Sequence, residues 1–162
     1  MSILLFAESE KNKLKRNAAE IASYGSAMAD ELNKDCVAVS FNADNAHELG
    51  QFGVSKVFNV NNAPQQFDAH VYASVLIYYI KSLGATHIIL SSSADAKFLA
   101  PLVAANTNAA YVPNVVALPH EQHPLTVKRT IFTNKAFANT TSKAEINIIG
   151  VGNNAFGTVE HV

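Results

Sequence analysis

DAHVYASVLIYYIKSLGATHIILSSSADAKFLAPLVAAN, residues 68–106, decides the fold. Asp68 is placed to cap a helix, and Val71, Val75, Leu76, Tyr79, Ile80 and Leu83 then recur at spacings of three and four until Gly84 stops the stripe. A strand, His87 to Leu90, follows and leads through Ser91-Ser92-Ser93 into a second helical segment, from Ala94 to about Asn106. A helix, a buried strand, a turn and another helix make the repeating unit of a parallel sheet covered on both faces. Pro101 falls inside the second helix. Proline lacks a backbone donor and its ring crowds the preceding turn, so a kink or an early break is expected there.

The same rhythm extends in both directions. Ile3 to Ala7 is an unbroken apolar run, like a central parallel strand, and Leu14, Ala18, Ile21, Ala22, Gly25, Met28, Ala29 and Leu32 give the following helix one buried stripe. Val37 to Phe41 reads as the second strand, Ala46 to Gln51 as a small helix ended by Gly53, and Lys56 to Val60 as a short third strand. Downstream, Val112 to Leu118 gives a fifth strand. Beyond it Thr126 to Thr133, Lys135 to Thr141 and Glu145 to Gly150 are β-type segments joined by short turns, and an antiparallel excursion at the sheet's edge accounts for them better than another helical crossover. The expected architecture is therefore α/β, three layers around a mainly parallel sheet, in one domain over residues 1–162.

Composition agrees and excludes much. A chain of 162 residues with 49% apolar and 15% charged residues, 7 Gly and 5 Pro builds a core, and is neither disordered nor fibrous. Twelve Lys and Arg against 13 Asp and Glu leave a formal charge of −1, without the basic face that nucleic acid requires. The longest apolar runs, such as Val71 to Ile80, fall short of the roughly 18 residues that span a bilayer. The N-terminus has no basic region before Ile3 to Ala7, and Glu8 and Glu10 follow at once, so a signal or transit peptide is not expected and the cytoplasm is the default compartment. Cys36, the single cysteine, sits among Val37, Ala38 and Val39 and reads as a small core residue.

Motifs that carry chemistry are sparse. Gly150-Val151-Gly152-Asn153-Asn154-Ala155 follows a strand and matches a dinucleotide fingerprint superficially, but that chemistry needs a helix N-terminus for the pyrophosphate, and the stretch reads as a flexible exit from the last strand. Ser91, Ser92, Ser93 and Lys97 lie at the carboxyl edge of the sheet and the start of a helix, where hydroxyls, free amides and a cation can hold an anion. The plainer reading is that Ser92 or Ser93 caps the helix, Asp95 complements its dipole and Lys97 is solvated. His120-Glu121-Gln122-His123 has no third residue at metal-ligand spacing, and no sequence motif engages His47, His70, His87 or His161. Glu8 and Glu10 stand near the end of the first strand, with solvation as the expected reading. No nucleophile, base and orienter assemble, and catalysis is not expected of the chain on its own.

Four stretches taken in order resemble one family. Ile3-Leu4-Leu5-Phe6-Ala7-Glu8, the run Leu83 to Leu90 with Ser91-Ser92-Ser93 and Lys97-Phe98-Leu99-Ala100-Pro101-Leu102-Val103-Ala104-Ala105, then Val127-Lys128-Arg129-Thr130-Ile131-Phe132 with Ala136, and Val151-Gly152-Asn153-Asn154-Ala155-Phe156 are similar to the N-terminal domain of the electron transfer flavoprotein alpha subunit. The likeness runs from residue 3 to about 157. It departs at Asn114, where the family commonly has Asp, and at Asn134, where it commonly has Gly; Asn tolerates a left-handed turn, and both positions bear on subunit contacts.

The resemblance implies a fold like the adenine nucleotide alpha-hydrolases, with strand order 3-2-1-4-5. It implies a scaffold domain that pairs with a beta subunit, while a C-terminal domain outside these 162 residues holds FAD and takes electrons from acyl-CoA-type or other dehydrogenases. No cofactor is expected on this domain alone. The alternative is a stand-alone nucleotide-binding domain of the universal-stress type, which would use Ser91, Ser92, Ser93 and Lys97 for an anion.

Overall fold

Six consecutive buried residues, Ser2–Ala7, form the strand around which the molecule is arranged. The computed structural model describes residues 2–122, 124–133 and 135–161, so His123 and Asn134 lie outside the described residues. In chain order the elements are β1 (Ser2–Ala7), β2 (Ser9–Glu10), β3 (Lys13–Leu14), α1 (Asn17–Leu32), β4 (Asp35–Phe41), a 3-10 helix (Ala46–Phe52), β5 (Lys56–Val60), α2 (Ala69–Leu83), β6 (His87–Ser91), α3 (Ala94–Thr107), β7 (Ala110–Val115), β8 (Glu121–Gln122), β9 (Leu125–Ile131), β10 (Ala136–Ser142) and β11 (Asn147–Val151). The main sheet runs β10-β9-β7-β11-β6-β1-β4-β5, with β8 added to β9.

Alternation along β1 separates the two cores. Ile3, Leu5 and Ala7 meet Ile21, Tyr24 and Met28 of α1, while Leu4 and Phe6 meet Tyr72, Leu76, Leu99 and Val103 of α2 and α3. This is the expected three-layer α/β/α architecture. α1 lies close to the sheet because residue 25 is glycine: a Cβ there would sit 2.1 Å from Leu5 Cδ2. Helix ends follow local chemistry. Asp68 caps α2 through the amides of His70 and Val71, and left-handed Asn33, Gly84 and Asn108 close α1, α2 and α3.

The five crossover strands keep the order 3-2-1-4-5, but β11 is inserted between the fourth and the fifth, parallel to both β6 and β7. Its residues were expected in the antiparallel excursion, which consists instead of β8, β9 and β10. The reason is burial. All five residues of Asn147–Val151 are buried, and Ile148 and Ile149 enter opposite cores, which suits an interior strand and not an edge. Asn114, in β7 beside the register shift opposite Ile149 and Val151, has φ of 58°, a conformation Asn adopts at low cost.

Two further expectations change. α1 begins at Asn17, not at Leu14, because Lys11 and Asn12 both take positive φ and turn β2 back on β3 as a hairpin. α3 runs through Pro101 without a break. Pro101 and Lys97, one turn earlier, are both exposed, so the carbonyl left without its helical donor remains open to water.

Candidate functional site

Open parallel sheets take ligands at the carboxyl ends of their strands, where the connections diverge to either side. Here that point lies between β1 and β6, since β1 connects through α1 to β4 on one side and the chain later returns from β5 through α2 to β6 on the other. Glu8, the residue after β1, occupies it and is only 3% exposed. Solvation was its expected state. Long-range partners bury it instead.

Four donors converge on the Glu8 carboxylate. Oε1 accepts from Ser91 Oγ and from Asn17 Nδ2 at 3.2 Å, while Oε2 accepts from Ser93 Oγ at 2.8 Å and pairs with Lys15 Nζ at 3.3 Å. The β2–β3 hairpin brings Lys15 into position, and the Lys15 amide donates to the Glu8 carbonyl at 2.9 Å. Ser91 ends β6. Ser93 caps α3, its Oγ accepting from the Ala96 amide at 3.1 Å while donating to Glu8. Asn17 opens α1, and its buried Oδ1 has no hydrogen-bond partner, so the amide is turned toward the carboxylate at the expense of its own acceptor.

Among the residues singled out for an anion, Ser91 and Ser93 are therefore together on Glu8. Ser92 Oγ turns away to the Val151 carbonyl at 2.9 Å, and Lys97 is exposed on α3. Glu10 is exposed and does not join Glu8. On either side are clefts of about 240 Å³, walled by Phe6, Phe41 and Tyr72, and about 210 Å³, walled by Asn17, Ser92 and Asn153. Burial, with help from Asp95 and Asp68, raises the Tyr72 hydroxyl pKa above its ordinary value.

A second buried carboxylate organises the exit from β11. Glu20 of α1 accepts from the backbone amides of Asn154 at 2.9 Å, Phe156 at 3.0 Å and Gly157 at 2.7 Å. Ser23 Oγ then accepts from the Val159 amide at 2.8 Å, and the His161 amide donates to the Gln51 carbonyl at 2.6 Å. The glycine-containing exit expected to be flexible is tied to α1. It forms turns where a dinucleotide motif would form a helix. A larger cleft of about 710 Å³ opens beside it, lined by Lys13, Lys15, Arg16, Glu20 and Asn154.

Sequence reasoning missed both carboxylates as centres, because Ser91 and Ser93 lie more than 80 residues from Glu8, and the exit amides more than 130 from Glu20. The placement of Glu8 directly after an apolar strand was the one available signal. Among the described residues no three His, Cys, Asp or Glu side chains are placed to hold a metal ion. His47, His70, His120 and His161 are exposed, and His87 is buried at the start of β6 with its Nδ1 2.9 Å from Thr86 Oγ1. Burial, reinforced by Asp30, pushes the Cys36 thiol up to about 12, away from thiolate reactivity.

A diphosphate is held by free backbone amides, hydroxyls or cations at the sheet's carboxyl edge; here the Ser91 and Ser93 hydroxyls serve Glu8 and the amides of Asn154, Phe156 and Gly157 serve Glu20, while Lys13 and Arg16 line the larger cleft beside them. No described helix is long and apolar enough to cross a membrane. No protein with curated annotation matches the sequence. The family model of the electron transfer flavoprotein domain matches residues 3–160, nearly the whole chain, and the protein belongs to that family.

Proposed function

We propose that this chain is the scaffold domain of an electron transfer flavoprotein alpha subunit. It pairs with a beta subunit in a cytoplasmic complex that carries electrons from acyl-CoA-type or other dehydrogenases, through FAD held by a further domain. Family membership supports the electron-transfer setting. The observation that carries the scaffold role is the crevice between β1 and β6, where the protein's own Glu8 occupies the position of a ligand. The residues here supply shape and rigidity, without a group positioned to react.

A scaffold needs a face for its partner, and β9 with β10 supplies the best one. β10 is an edge strand, Phe137 on it is 62% exposed, and Phe132 in the adjoining turn is 76% exposed. Exposed aromatics on an open edge favour association. Sedimentation or native mass analysis of this chain with a cognate beta subunit tests the reading. A heterodimer at micromolar concentration is expected, weakened at least tenfold by Phe132→Ser with Phe137→Ser; no association of the unaltered chain refutes it.

A further inference from the structure

Every group bonded to the Glu8 carboxylate is a donor, and each comes from a different place in the fold. Ser91 ends β6, Ser93 caps α3, Asn17 begins α1 and Lys15 follows the β2–β3 hairpin. Together they offer two hydroxyls, an amide NH2 and an ammonium, shared two to each oxygen of one planar carboxylate. Asn17 leaves its buried Oδ1 without a partner in order to face that carboxylate. Such an arrangement has the composition of a receptor for an anion, with the anion supplied from inside.

We propose that the crevice is a carboxylate-binding cradle closed by its own residue Glu8, and that truncating Glu8 converts it into a site for a small free monocarboxylate. Glu8→Ala keeps Cβ and removes the atoms of an acetate ion, so acetate is the matching ligand. Phosphate matches less well, because its additional oxygens meet no donor in a cradle built for two. The donors that would bind an external anion in this fold are spent internally, and Glu8 is the residue that excludes it. This inference concerns the chain alone and is independent of its pairing with a beta subunit.

Thermal melts of the full chain in sodium acetate, sodium phosphate and sodium chloride at equal ionic strength make the test. Glu8→Ala is expected to melt lower than the unaltered protein and to gain roughly 3–6 °C in acetate at ten times the dissociation constant, saturably, with no matching gain in chloride or phosphate. Adding Ser91→Ala should abolish the gain. Glu8→Gln, which still fills the cradle, should show none. Where Glu8→Ala does not fold unaided, refolding in acetate against chloride asks the same question, and recovery in acetate only supports the cradle. The proposal is overturned by equal responses to acetate and chloride, by a phosphate response as large as that to acetate, by no recovery in any salt, or by saturable acetate-induced amide shifts at residues 91–96 of the unaltered protein.

Discussion

Replacing Glu20 by alanine should free the segment after β11 while leaving the sheet folded. Three backbone amides, of Asn154, Phe156 and Gly157, donate to this one carboxylate within 3.0 Å. A hydrogen bond to a charged group contributes a net 1.5–3 kcal/mol or so. The three do not add, because they share one acceptor and because Asn154 is exposed and Phe156 and Gly157 only half-buried, so that freed amides can turn to water. About 2–4 kcal/mol is therefore expected, which for a domain of this size lowers Tm by roughly 5–12 °C. The local signature is sharper than the global one. If the segment opens without the sheet, even 2 kcal/mol lowers exchange protection at those three amides about 30-fold, while amides in β1 and β6 change only as far as global stability does. Glu20→Gln keeps one acceptor oxygen and should fall between the two proteins. Hydrogen exchange followed by NMR, with calorimetry on the same samples, reads both quantities. Protection at residues 154, 156 and 157 that is unchanged in Glu20→Ala would refute the anchoring role, and a fall in Tm without local deprotection would show that Glu20 acts through packing.

Other expectations follow from buried groups. The Cys36 thiol, raised from 9.0 to about 12 by burial and then Asp30, favours the folded state fully below pH 9; this contribution is lost as pH rises from about 9 toward 12, and Cys36→Ala should flatten that part of an alkaline denaturation curve. The same thiol should resist alkylation by iodoacetamide under native conditions and react once urea unfolds the chain. Gly25→Ala gains up to about 1 kcal/mol of helix propensity, but its Cβ would overlap the fully buried Leu5 at 2.1 Å, with an overpacking cost of about 1–3 kcal/mol; a net loss of about 1–2 kcal/mol in urea titration is expected. Tyr24→Phe removes the hydroxyl that donates to the Ala117 carbonyl at 2.8 Å and should cost about 1–2 kcal/mol, while the edge-on contact with Phe156 at 5.3 Å remains.

The strand and helix order was legible because burial on two faces produces unbroken apolar runs separated by helical stripes, as residues 68–106 show. Asp68 and Gly84 bound α2 where side-chain chemistry alone places its ends. What escaped was decided by distant pairing. The adjacent Ile148 and Ile149 suit a strand buried on both faces, but which neighbours it takes depends on the gap that β6 and β7 leave many residues earlier. The β2–β3 hairpin was hidden for another reason. Lys11 and Asn12 take left-handed turns without a glycine to announce them, and Leu14 has the right spacing to be counted with the following helix. The candidate site was half legible: the positions of Ser91 and Ser93 at the sheet's edge followed from local pattern, but their partner could be named only once β1 and β6 were side by side.

Glu8 and Glu20 solve one physical problem in two places. A parallel α/β sheet leaves polar donors at its carboxyl edge, in strand-to-helix turns and at helix starts, and a donor left buried without an acceptor costs about 1–3 kcal/mol. In a domain that binds ligands there, a bound anion can meet part of that demand. Here α1 and the segment before it meet it internally: Glu8 takes the donors from β6, α3, Lys15 and Asn17, and Glu20 takes the amides beyond β11. Both carboxylates also cross-link elements distant in sequence, β1 to α3 and α1 to the exit, so the groups that could have served a ligand hold the layers together. Phe132 and Phe137 stand exposed beside the open β10 edge of the body that these two carboxylates hold together.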